Sequence, residues 1–154
     1  MTHSERLMSA GKLFVKWVIG SELLGIHPCL FTGSVAFGEA NETSDVDIVF
    51  PIMAMEDVNA KLKAVSISAE TSDYNNGLHF FVPFDGNNAT INLMFLHPLD
   101  YAVWSKATKV YPMLTLGFDR SKRHALFQSL CALIKTQYAV NGDFITHKNL
   151  KEYL

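Results

Sequence analysis

Phe31-Thr32-Gly33-Ser34-Val35-Ala36-Phe37-Gly38, followed by Ser44-Asp45-Val46-Asp47-Ile48-Val49-Phe50, is the stretch on which the rest of the chain turns. A short apolar run, 28–31, enters a Gly-Ser turn, and ten residues separate Ser34 from Asp45. Successive strand side chains point to opposite faces, so Asp45 and Asp47 share one face while Val46 and Ile48 take the other. Neighbouring carboxylates repel unless a cation sits between them. Hard oxygen ligands suit Mg²⁺, which takes one or two protein carboxylates and completes its shell with water and substrate phosphate. The Gly-Ser turn offers backbone N–H groups and a hydroxyl, a natural place for phosphate oxygens.

These residues, Gly33-Ser34, a ten-residue spacer and Asp45-Val46-Asp47-Ile48, resemble the signature of the polymerase-β-like nucleotidyltransferase superfamily, and Ala36-Phe37-Gly38 resembles its small stand-alone members. The alternative is a turn glycine followed by a solvated acidic strand end. The resemblance implies a metal-dependent nucleotidyltransferase that moves an NMP group from a nucleoside triphosphate to a protein, small-molecule or nucleic-acid acceptor. It implies one or two Mg²⁺ ions held by Asp45 and Asp47, and phosphates supported by Gly33 and Ser34.

That superfamily adds a third carboxylate on a later, adjacent strand, and here the sequence departs. In the strand-like run 89–95, Ile91, Leu93 and Phe95 form an apolar face, which leaves Asn92 where the acid is expected. An amide oxygen can ligate a cation but cannot accept a proton from an attacking hydroxyl. A second reading follows: a catalytically impaired nucleotidyltransferase-fold protein, antitoxin-like or regulatory, that binds a nucleotide or a protein partner.

Cations suited to phosphate charge lie in the later part of the chain. Arg120, Lys122 and Arg123 cluster at the start of the last long helical segment, where positive charge opposes the helix dipole. They meet an anion or form a solvated helix start; Lys106 is a further candidate. His79 lies in the strand-like run 78–84, either facing the acid pair or hydrogen-bonded within the sheet. The six histidines show no metal spacing, and the glycine turn lacks the lysine of a Walker loop.

At 154 residues, 49% hydrophobic and 18% charged, the chain is long and apolar enough for one domain over 1–154 with a real core. A net charge of −2 argues against a broad basic nucleic-acid surface and leaves a local patch open. Cys29 and Cys131, far apart in apolar segments, read as buried thiols of a reducing compartment. No clean apolar stretch follows the first residues, and the run 13–19 is too short to span a bilayer, so a cytoplasmic chain without a membrane is expected.

The apolar spacing predicts a helix over 4–24 with Ser4 as its cap, strands at 27–32 and 46–52, a short helix at 55–63, and a strand at 65–69. A hairpin of 78–84 and 89–96 joined by an 85–88 turn follows, then a helix over 98–108 opened by Pro98. Asp119 caps a final long helix with Leu126, Leu130, Leu133, Ile134 and Tyr138 along one side, ending at Asn141-Gly142. The sum is an α+β or α/β fold: a mixed sheet of four or five strands with helices packed on it.

Overall fold

Alternation over residues 46–51 makes strand β2 (Val46–Pro51), whose Val46, Ile48 and Phe50 are fully buried. The computed structural model describes residues 1–114 and 119–154, with the side chain of Arg120 outside that description. Two compact units divide at Leu96, Met1–Leu96 and His97–Leu154.

The first unit is built on a mixed five-stranded sheet in the order β1-β2-β5-β4-β3, as expected. Its other strands are β1 (Leu30–Thr32), β3 (Glu70–Ser72), β4 (Gly77–Phe84) and β5 (Asn87–Leu96). Only β2 and β5 run parallel; the remaining neighbours are antiparallel. Helix α1 (His3–Phe14) lays Leu7 and Phe14 onto the apolar face, with the Phe14 and Phe80 rings 5.1 Å apart. Short helices α2 (Ser21–Ile26) and α3 (Gly33–Ala36) flank β1, and α4 (Met55–Ala64) adds Val58 and Leu62 to the same core.

Several local expectations are corrected. The helix expected over 4–24 is interrupted: α1 passes into a π turn at Val15–Ile19, and Gly20 at φ 87° separates it from α2. A residue with a Cβ resists that backbone angle, so the chain breaks where glycine permits it. The cap is Thr2, not Ser4: Glu5 N donates to Thr2 Oγ1, and the Glu5 carboxylate accepts from Thr2 N, a reciprocal capping box. Ser4 instead accepts from Ala40 N at 2.9 Å and ties the loop after α3 to the helix. The strand expected at 65–69 lies at Glu70–Ser72, and β1 is confined to Leu30–Thr32.

The hairpin turn is shorter than expected. Phe84 pairs with Asn87, so only Asp85 and Gly86 form the loop, both at positive φ, as a type I′ turn requires. Pro83 stands in β4 beyond the reach of β3, which pairs only with Gly77–His79, so its missing N–H costs no ladder bond there.

In the second unit, α5 (Pro98–Val110) opens with proline in its first turn, and α6 (Arg120–Asn141) is capped by Asp119, which accepts from Lys122 N. Phe127, Leu130, Ile134 and Tyr138 are buried, whereas Leu133 is 67% exposed. Leu130, Ile134 and Tyr138 thus face inward as expected, and Phe127, whose ring meets Trp104 edge-on at 5.4 Å, joins them in place of Leu133. Lys135 pairs with Asp100 at 3.3 Å. Cys29 and Cys131 are free thiols, each partly exposed. Among the described residues no helix is long and apolar enough to cross a membrane.

Candidate functional site

The register of the sheet assembles the site. Thr32 pairs with Asp47, Asp47 with Asn92, Asn92 with His79, and His79 with Glu70. Directly paired residues share a face, so one polar row crosses all five strands. The next residues along the central strands, Ile48, Leu93 and Leu78, are buried on the opposite face. That alternation keeps the row in place, because a one-residue slip would drive acids into the core.

Asp47 is half-buried and packed from two sides. On one, Gly33 stands at φ 75°, and a Cβ built there would fall on Asp47 Oδ2, closer than any real side chain approaches. Glycine is therefore required twice, by its backbone angle and by the carboxylate beside it. On the other side, Asn92 Nδ2 donates to Asp47 Oδ1 at 3.0 Å. The amide thus faces the carboxylate as a donor. Asp45 stands exposed one residue before β2. Ser34 is the second residue of α3, which is a single turn; too short for a substantial dipole, it presents chiefly the N–H groups that a first turn leaves without internal partners.

The same face carries a pair that the sequence alone did not single out. His79 Nε2 lies 2.8 Å from Glu70 Oε2, with the two side chains 37% and 82% exposed. Its position opposite Asn92 was encoded in the hairpin. A two-residue Asp85-Gly86 loop sets the sum of paired numbers along β4 and β5, and a four-residue turn misplaces it. A cleft of about 630 Å³ in the same unit, lined by Leu13, Phe14, Val18, Ile67 and Phe84 among others, includes none of the five row residues.

No protein-family model matches the sequence, and no curated protein matches it. Among solved structures, the crystal structure of the Cid1 poly(U) polymerase is similar at 13% identity and a TM-score of 0.46. The likeness covers 73% of this chain and 39% of that one. So remote a likeness leaves function to be argued from the residues themselves.

The remaining candidates belong to the second unit. Lys106, on α5, places Nζ 3.4 Å from Gln137 Oε1 and 5.5 Å from the centre of the Tyr138 ring. Lys122 Nζ is 4.0 Å from Asp119 Oδ2, and Arg123 lies one residue further along α6. The carboxyl of Asp119 is held below its ordinary range, first by the Lys122 backbone N–H, then by the Ser121 hydroxyl, with Arg123 contributing charge. Asp119 thus offsets part of the conflict between these cations and the helix dipole. The side chain of Arg120 lies outside the described residues.

The donor set can be tested against the ion that the motif implies. Among the described residues no three His, Cys, Asp or Glu side chains gather as a metal cluster. Asp45 and Asp47 are hard carboxylates two residues apart, and that of Asp47 lies beside a turn with no Cβ. This suits Mg²⁺, which needs few protein ligands and takes the rest from water and phosphate. It does not suit zinc, which asks for a fuller set of nitrogen and sulfur donors.

Proposed function

We propose that this chain binds a nucleoside triphosphate with Mg²⁺ at the Asp45–Asp47 edge of the sheet and transfers the nucleotidyl group to a hydroxyl acceptor. The observation that carries the reading is the position of Asp47, enclosed by the Gly33 turn that follows β1 on one side and by Asn92 of β5 on the other. A carboxylate used only for solubility has no need of a neighbouring glycine shaped around it.

Asp45 and Asp47 hold the ion, and Asn92 fixes the angle of the Asp47 carboxylate through its hydrogen bond. Gly33 and Ser34 orient the phosphate tail with backbone N–H groups and a hydroxyl. When bound, Mg²⁺ supplies positive charge where phosphate oxygens gain negative charge. The acceptor oxygen forms a bond to the α-phosphorus, and the bond to the bridging oxygen breaks to release pyrophosphate. The acceptor is a protein, a small molecule or a nucleic-acid end.

Asn92 favours a second reading, nucleotide or protein binding without turnover, because an amide cannot take the acceptor's proton. Calorimetry with ATP, GTP, CTP and UTP, with and without Mg²⁺, tests the first. Triphosphate affinity that requires Mg²⁺ and is abolished by Asp45→Ala and by Asp47→Ala supports it, provided both variants keep the wild-type circular dichroism spectrum. Affinity unchanged in both folded variants refutes the site. Binding without pyrophosphate release over a panel of acceptors favours the second reading.

A further inference from the structure

Asn92 leaves a specific chemical gap. Nucleotidyl transfer to a hydroxyl needs somewhere for the acceptor's proton to go, and among Asp45, Asp47 and Asn92 the two acids are committed to the ion. The polar row continues past Asn92. His79 is its direct partner on β4, and strands lie about 4.8 Å apart, so the imidazole rises from the sheet one strand beyond the amide. Glu70 on β3 then meets His79 Nε2 at 2.8 Å.

We propose that His79, oriented by Glu70, is the proton acceptor of this site; the inference rests on the nucleotidyl-transfer reading above. The Glu70 carboxylate can only accept a hydrogen bond, which assigns the ring proton to Nε2 and leaves the lone pair on Nδ1. The step balances. As the acceptor oxygen bonds to the α-phosphorus, its proton passes to Nδ1; the bond from phosphorus to the bridging oxygen breaks, and pyrophosphate leaves with the electron pair. The imidazolium then returns its proton to water. His79 acts on the acceptor and Glu70 is a positioning residue, the same order of parts by which a carboxylate orients a histidine base elsewhere.

As a partly exposed ion pair on a sheet surface, His79 and Glu70 contribute little to stability. His79→Gln and Glu70→Gln are therefore expected to fold, which keeps the test clean. The unliganded protein gives the first readout: ¹⁵N spectra of the imidazole should show Nε2 protonated and Nδ1 bare, and the opposite tautomer overturns the proposal. The second uses α-labelled ATP, GTP, CTP and UTP with MgCl₂ and three acceptors: an oligoribonucleotide, kanamycin and casein. His79→Gln should keep Mg²⁺-triphosphate affinity within about twofold and lose roughly 10²- to 10⁴-fold in kcat, the usual contribution of a positioned base. Glu70→Gln should lower kcat less and leave affinity unchanged.

Full turnover in His79→Gln overturns the proposal and leaves the nucleotidyltransferase reading intact. Triphosphate bound without turnover of any acceptor by the wild type also overturns it, and leaves the binding protein standing. If the wild type binds no triphosphate, the nucleotidyl-transfer reading itself falls, and this inference falls with it.

Discussion

Replacing Asn92 with aspartate restores a third carboxylate to the row and exposes what the amide does now. Asn92 Nδ2 donates to Asp47 Oδ1 at 3.0 Å, and the variant puts two oxyanions in that place. At about 4 Å between charge centres, their repulsion is ~1 kcal/mol at the dielectric of water and ~4 kcal/mol at an effective value of 20. Both residues are partly exposed, so the lower end applies. Loss of a hydrogen bond to a charged acceptor adds roughly 1.5 kcal/mol or more. The expected cost without metal at pH 7.5 is about 2.5 kcal/mol. At roughly 2–4 °C per kcal/mol for a chain of this size, Tm falls by about 5–10 °C.

The pH dependence has a definite sign. Repulsion raises the pKa of one carboxyl of the pair in the folded variant. Below the unfolded value, about 4 for aspartate, one carboxyl is protonated and can donate the bond the amide gave, so the deficit closes. The deficit opens as pH rises through the raised value. Mg²⁺ should reverse it, because an ion bound only by the folded form stabilises by RT ln(1 + [Mg²⁺]/Kd), about 2.7 kcal/mol at one hundred times Kd. Thermal denaturation of wild type and variant from pH 4 to 8, in EDTA and in MgCl₂, is the measurement. Equal Tm in EDTA at pH 7.5, or equal Mg²⁺ stabilisation of both proteins, would refute the placement of Asn92 against a metal-binding Asp47.

Three further outcomes are expected. Gly33→Ala should cost about 1–3 kcal/mol in urea denaturation, from a strained positive φ and a displaced carboxylate, and should abolish Mg²⁺-triphosphate affinity. Gly38→Ala, at φ 73° with open space around it, should carry only the backbone strain and leave affinity unchanged. In the second unit, Phe127→Ala should destabilise by about 3–5 kcal/mol and Leu133→Ala by less than about 0.5 kcal/mol; the reverse order would refute the face assigned to α6. Burial pushes the Cys29 thiol up to about 12, and burial followed by the Asp100 charge pushes Cys131 to about 11. Since thiolate is the reacting form, alkylation by iodoacetamide at pH 8 should be slow in the folded protein and rapid in urea, with Cys131 reacting before Cys29. Fast labelling of Cys29 in the native state would contradict the raised thiol.

What the sequence alone determined was local. Period-two alternation put Asp47 opposite the buried Ile48 and Asn92 opposite the buried Leu93, because a strand's side-chain geometry repeats every two residues wherever it packs. The proline that opens α5 and the aspartate that caps α6 were legible for the same reason: each answers to backbone groups within one turn. The tertiary structure decided everything that depends on which segments meet. The parallel pairing of Asp47 with Asn92 joins strands separated by α4, β3 and β4, and no local rule sets its offset. The Gly33–Asp47 contact, the continuation of the row through His79 to Glu70, and the choice of Phe127 over Leu133 likewise follow from packing. Alternation says which way a side chain points; only the assembled sheet says what it points beside.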